Sequence, residues 1–258
     1  MIQRFPEYLK QVNYRNPDST VQPGPFQYCL DTDLSTFEWI GQRPEVAADF
    51  NLFMTQHRPQ DWTETFSVPD NLFSGVTINE NAPLVVDVAG GYGHDLRRVK
   101  SRVLAALPSA RKKGQFVLED QASVIDTVPD DLHDADIEYV KHDFFTPQPV
   151  KGARVYTLKS ILHDWADDKA LAILKNIASA MQPGYSKIWI LDGIVPETKA
   201  NLGLVGMDIT MMVFLCALER TTKQWERLLD QAGLVISGLH ERADGFGVVE
   251  AMLSPQHV

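Results

Sequence analysis

The stretch Leu84-Val-Val-Asp-Val88-Ala-Gly-Gly-Tyr-Gly93 constrains the fold more than any other part of this chain. Its short apolar run suits a strand buried on both faces, as in a parallel sheet. The glycine-rich turn lets backbone approach a ligand closely. A helical pattern follows from His94 to Leu107, stopped by Pro108, and its N-terminus offers free amides. The same alternation continues. Gln115–Leu118, Arg154–Leu158 and Lys187–Leu191 read as strands, and a helix opening near Asp167 sets Leu171, Leu174, Ile177 and Met181 on one stripe. A Met-rich helix is expected at about 202–217. Thr221-Thr-Lys-Gln224 reads as a capping box for a helix with Trp225, Leu228, Leu229 and Ala232, closed by Gly233. Leu234–His240 and Phe246–Met252 finish as strands. The expectation is an α/β fold: a Rossmann-like, doubly wound, mostly parallel sheet over residues 81–258.

Residues 1–80 differ. They are rich in Pro, Asn, Asp and aromatics, and they carry helical pieces at Thr36-Phe-Glu-Trp-Ile and from Pro44 to Met54. In the second, Val46, Ala47, Phe50, Phe53 and Met54 fall at helical spacing. Phe26, Tyr28, Phe37, Trp39, Trp62, Phe66 and Phe73 also need a surface to bury against. This helical segment is therefore expected to pack on the rest of the chain, or on another one.

The formal net charge of -10 would repel phosphodiester backbones, so nucleic acid is not an expected partner. Arg97, Arg98 and Lys100 read as a solvated helix face, and Arg111-Lys112-Lys113 as loop. Cys29 and Cys216 fit no metal spacing and no disulfide framework, so no metal is expected and a reduced compartment is the default. No leader is visible at Met1-Ile-Gln-Arg-Phe-Pro6. The apolar stretch Met207–Leu218 is too short to span a bilayer and carries Asp208, so the chain is expected to be cytoplasmic, with no membrane partner.

The loop carries the first chemical signal. A dinucleotide fingerprint would use Gly91 and Gly93, but its third glycine falls on Leu96, which argues against a nicotinamide enzyme. The spacing acidic-x-G-x-G-x-G fits Asp87, Gly91 and Gly93 with Ala89 in the first glycine place, a pattern suited to S-adenosylmethionine. At the end of the next strand, Asp120 could accept two ribose hydroxyls; a solvated loop acid is the plain alternative. Asp143 and Phe144 open a later loop, where a carboxylate and an aromatic could take adenine; read alone, they are an ordinary turn and a core phenylalanine. The second signal is Lys159-Ser-Ile-Leu-His163-Asp-Trp165, which places a histidine just outside the carboxyl end of a strand, where ligands gather in open α/β sheets. The remaining histidines, at 57, 94, 133, 142, 240 and 257, have no such context and are read as structural.

Together these motifs resemble the plant and fungal O-methyltransferases of the caffeate and flavonoid type, class I methyltransferases dependent on S-adenosylmethionine. The matching residues are Val86–Gly93, His142-Asp-Phe-Phe145, Leu158–Trp165, Ile190-Leu-Asp-Gly-Ile-Val-Pro196 and Glu219-Arg-Thr221. Phe144–Tyr156 is similar to the fungal branch, which modifies secondary metabolites. The resemblance implies that Gly91 and its neighbours hold the methionyl part, Asp120 the ribose, and Asp143, Phe144 and Lys159 the adenine pocket. It makes His163 the catalytic base, flanked by Asp192 and Glu219, and puts Met211 on the substrate wall. For the methionines at 207, 211 and 212, packing is the ordinary explanation of helical spacing. The implied acceptor is a phenolic or enolic hydroxyl of a small polyketide-type metabolite.

Two departures from the family pattern stand out. Ala89 replaces a usual glycine, tolerable at negative φ and damaging at positive φ. Family members also carry an N-terminal winged-helix dimerisation domain. This chain begins after nearly all of it, so a homodimer is expected to be weakened. Two rival readings stay open: a cofactor-binding enzyme of a non-methylating, pericyclic or cyclising step, and a truncated non-catalytic partner protein.

Overall fold

The computed structural model describes residues 3–15, 22–56 and 61–255, with 51–56 as helix backbone only. Phe53, Met54, His57 and His257 lie outside the described side chains. Eight strands form one assembly: β1 Val85–Val88, β2 Phe116–Asp120, β3 Ile137–Lys141, β4 Val155–Lys159, β5 Lys187–Val195, β6 Arg220–Thr221, β7 Leu234–Glu241 and β8 Phe246–Leu253. Their order is β3-β2-β1-β4-β5-β8-β7, with the two-residue β6 beside β5. β1 to β5 are mutually parallel, while β8 runs antiparallel between β5 and β7. The chain turns from β1 outward to β3, then returns to β4 on the other side of β1. That reversal makes the carboxyl ends of β1 and β4 a switch point, where open α/β sheets hold ligands.

The central strands are apolar at nearly every position because both faces are covered. Val85, Phe116, Leu118, Val155, Trp189 and Leu191 point to a face packed by helix His94–Ala106 through Leu96, Val99 and Val103. Val86, Val117, Tyr156, Leu158, Ile188 and Ile190 point to the opposite face, under helices Asp167–Ala178 and Thr222–Gln231. The capping box on Thr221 and Gln224 forms as expected.

Three details differ from the sequence reading. β3 gives no apolar run because Glu138 and Lys141 face solvent at the sheet edge. On helix Asp167–Ala178 the buried stripe is Ala170, Ile173, Leu174 and Ile177, with Leu171 only half-buried. The expected solvated face of helix His94–Ala106 is also corrected. Lys100 is buried and holds Asp134 at 2.6 Å and Asp136 at 2.9 Å, while Arg97 donates to the Leu132 carbonyl at 2.9 Å. An ammonium carried on a four-carbon stem can cross an apolar face when carboxylates wait beyond it.

The aromatic N-terminal part divides its burial between two surfaces. Trp62 and Phe66 lie edge-on against Trp189, with ring centroids 6.4 and 4.9 Å away, so they complete the sheet core. Phe26, on helix Pro25–Leu30, packs beside Trp39 and Phe214. Phe214 belongs to helix Leu202–Leu215, and its carbonyl accepts from the Thr36 hydroxyl.

Candidate active site

The glycine-rich loop follows β1 directly. Asp87 is buried, and its Oδ1 accepts from the Thr157 hydroxyl at 2.8 Å. Its Oδ2 has no hydrogen-bond partner, and burial pushes this carboxyl up to about 7 despite the Thr157 bond. Gly90 is required beside it, because a Cβ there would meet Asp87 Oδ2 and Leu118. Gly91 has φ +60 and a Cβ at this position would meet nothing within 4 Å, so its backbone faces open space. Gly93, with φ +74, caps helix His94–Ala106. Ala89 adopts φ +57, the conformation in which its methyl is costly.

Asp120 ends β2 across the loop. Its Oδ2 accepts from Gly91 N at 2.8 Å and its Oδ1 from Gln121 N at 2.7 Å. Burial raises its pKa against those two bonds. Lys159, at the end of β4, is drawn to the same side of the sheet, where it binds Asp95 at 2.6 Å. Asp95 also accepts from the Trp62 indole at 3.1 Å. Sequence reasoning missed Asp95, since the residues it joins stand 33 and 64 positions away. A cavity of about 60 Å³ lies next to it, lined by Trp62, Phe66, Lys159, Leu191 and His240 among others.

Asp143 is exposed, and its Oδ1 accepts from Phe145 N at 3.0 Å. Phe144 is half-buried against Trp165, with ring centroids 5.9 Å apart. Asp143 and Phe144 thus stand side by side in the loop after β3, and Lys159 is held by Asp95 at the end of β4.

The base cluster gathers beyond the carboxyl ends of β4 and β5, with Glu219 beside Gly193 and Asp192 on the opposite side of β5. His163 sits in a short turn, Leu162–Asp164, just after β4. Its Nδ1 is 2.7 Å from Glu219 Oε1, and its Nε2 is 3.4 Å from Asp164 Oδ1. Glu219 is fixed in turn: Oε2 accepts from Gly193 N at 3.0 Å, and its own N donates to Asp208 Oδ1 at 2.9 Å. Arg220, fully buried, donates to the Leu162 and Trp165 carbonyls at 2.8 Å each and binds Asp167, so it clamps the histidine turn from both ends. Asp192, on β5, is fully buried, and neither of its oxygens has a hydrogen-bond partner.

Three carboxylates around one imidazole decide its charge. Burial alone would lower the His163 pKa, but Asp192, the Glu219 hydrogen bond and Asp164 together push it up to about 10. Burial pushes Asp192 up to about 7 and Asp164 up to about 6, each held back by the His163 imidazolium. Asp164 is the member that the sequence reading left out, although it stands next to the histidine. Met211 is buried on helix Leu202–Leu215, the helix whose Asp208 holds Glu219.

A family model for the O-methyltransferase domain matches residues 17–235. The chain belongs to this family. Among fungal relatives, it is 40% identical over 256 residues to the O-methyltransferase penC of Penicillium thymicola, covering 97% of this chain and 61% of that protein. It is 35% identical over 242 residues to the O-methyltransferase lepI of Aspergillus flavus, covering 93% of this chain and 60% of that one. A solved structure of LepI in complex with S-adenosylmethionine superposes with a TM-score of 0.84 at 32% identity, covering 97% of this chain and 62% of that one. A structure of OxaC with S-adenosylhomocysteine and oxaline gives 0.82 at 27%, covering 98% and 62%. The chain therefore spans about three-fifths of the length of these relatives. Among its described residues, no helix is long and apolar enough to cross a membrane.

Proposed function

We propose that this chain is the catalytic part of an S-adenosylmethionine-dependent O-methyltransferase acting on a phenolic or enolic hydroxyl of a small polyketide-type metabolite. The observation that carries the reading is the buried His163, held by Glu219 and surrounded by Asp164 and Asp192 at the end of β4. In this reading residues 81–258 bind the cofactor and carry the base, and the helices of 1–80 cover the acceptor side.

The residues present fit the cofactor. The backbone of Gly91 is open, the helix after Gly93 offers its amides, and Asp120 stands across the loop. Asp87, Gly91 and Gly93 would take the methionyl part, Asp120 the ribose, and Asp143 with Phe144 the adenine. Lys159, held by Asp95, would close the loop side. S-adenosylmethionine supplies an electrophilic methyl group that leaves a neutral thioether behind.

The chain's own contribution is proton management and positioning. A phenol with pKa of about 10 facing an ordinary His of about 6.5 leaves a gap of roughly 3.5 units, about 5 kcal/mol. With His163 raised to about 10, that gap nearly closes. The same shift makes His163 an imidazolium at neutral pH, so the acceptor enters as its phenolate or gives up its proton to the small neutral fraction of His163. Either route reaches one state, imidazolium beside phenolate, with the proton on His163. Geometry then contributes most: holding attacking oxygen and methyl carbon in line is worth about 7–11 kcal/mol. Met211 would form part of the wall that orients the acceptor.

A second reading stays open because one similar solved structure, with a TM-score of 0.84 at 32% identity, is that of a pericyclic reaction enzyme. A histidine clamped by three carboxylates favours methyl transfer, since a proton must be accepted there. The experiment incubates the chain with methyl-labelled S-adenosylmethionine and a panel of phenols and enols, with His163→Ala alongside. Label transferred by the wild type and lost in the variant supports methyl transfer. An acceptor rearranged without gaining label supports the second reading.

A further inference from the structure

We infer that His142, Glu119 and Gln148 form a buried brace that positions the loop carrying Asp143 and Phe144, and so sets how tightly the adenine end of the cofactor is held. The inference rests on the cofactor site proposed above. Glu119 and Asp120 are neighbours in β2 and point to opposite faces of the sheet. Asp120 faces the glycine loop, whereas Glu119 is fully buried on the other side. There Glu119 Oε2 lies 3.1 Å from His142 Nδ1 and accepts from Gln148 Nε2 at 2.9 Å. His142 N donates to the Asp120 carbonyl at 2.9 Å, and Gln148 Oε1 accepts from Val150 N at 3.0 Å.

The loop is therefore gripped at both ends by one carboxylate. Between those ends stand Asp143 and Phe144, and the Phe144 carbonyl accepts from Asn176 at 3.0 Å. A loop with exposed tip residues has many conformations of similar energy, and fixing its ends removes most of them. The brace also has unused capacity, since Glu119 Oε1 and His142 Nε2 are buried without partners. Such groups are costly in a purely structural core, where an apolar filling would serve. Here they are tied through the backbone of Asp120 to the residue proposed to hold the ribose. The ribose contact rests on Asp120 and its backbone bond from His142, whereas the side chains of the brace act on the loop that carries the adenine contacts.

The test is calorimetric titration with S-adenosylhomocysteine and with S-ribosylhomocysteine, which lacks the adenine. His142→Phe fills the space and removes the bond to Glu119, and Glu119→Gln keeps the volume and one acceptor. A lost hydrogen bond corresponds to about three- to tenfold in affinity. His142→Phe should weaken S-adenosylhomocysteine by that factor and leave S-ribosylhomocysteine unchanged, with Glu119→Gln between it and wild type. Equal weakening of both ligands, or of neither, in folded variants would overturn the inference. Should His142→Phe fail to fold, Glu119→Gln decides by the same ratio. Failure of wild type to bind S-adenosylhomocysteine would instead sink the cofactor reading itself.

Discussion

The glycine loop and the histidine cluster do different electrostatic work. On the glycine-loop side the carboxylates at β1 and β2 are partly satisfied by neutral donors, Thr157 for Asp87 and two backbone amides for Asp120. In the histidine cluster, Asp192 has no hydrogen bond at all and acts on His163 through space. A site that must bind a ligand repeatedly does well with preformed dipoles. A site that must hold a proton is better served by buried charge, whose cost is offset only when the imidazole is protonated. Cofactor binding thus rests on neutral dipoles and proton affinity on buried charge, within one site at the carboxyl ends of the strands.

The largest expected effect breaks the proton side alone. His163→Ala should lower methyl transfer by about 10²–10⁴-fold while leaving S-adenosylhomocysteine affinity nearly unchanged. Steady-state rates and calorimetry on the same preparation separate the two. Arg220→Met comes next, since it strips the donor from the Leu162 and Trp165 carbonyls on either side of His163. The Leu162 carbonyl keeps the Trp165 amide at 3.2 Å, so one carbonyl, that of Trp165, is left unpaired. That costs about 1–3 kcal/mol, to be read by thermal unfolding, and the His163 turn should lose its fixed orientation.

A third experiment sharpens the charge argument. In the folded protein the His163 imidazole should titrate near 10 by NMR, and Asp192→Asn should move it down, because Asp192 is the first of the groups that raise it. Since the unfolded value is about 6.5, His163 favours folding fully below that pH, and the contribution disappears as pH rises through about 10. Asp192, whose folded value is likewise raised, acts in the same sense at lower pH: stability falls as pH rises from about 4 through about 7. A His163 midpoint near 6.5 would contradict the account of the cluster.

The smallest effect lies on the loop. Ala89→Gly should relieve about 1–2 kcal/mol of left-handed backbone strain, less about 0.4–1 kcal/mol for the freer unfolded chain. A slightly higher unfolding temperature is expected, with cofactor affinity equal or better.

Local signals made much of this legible in the sequence. The strands at 84–88, 115–118, 154–158 and 187–191 announce themselves because double-sided burial leaves no polar interruptions. The glycine loop is written in residue spacing, and so is the capping box of helix Thr222–Gln231. His163 stood out only by its place after a strand. Its environment was not readable without the resemblance, since residues 163, 192 and 219 meet only when β4, β5 and β6 align. β3 hid because an edge strand needs one apolar face. Lys100 and Asp95 misled or escaped because their partners lie 33 to 64 residues away, beyond any periodicity.

The most direct test of the account is calorimetric titration of the chain with S-adenosylhomocysteine, wild type against Asp120→Ala. The account predicts micromolar binding, weakened at least about tenfold when the proposed ribose acceptor is removed. No binding by the folded wild type, or equal binding by both, would contradict it.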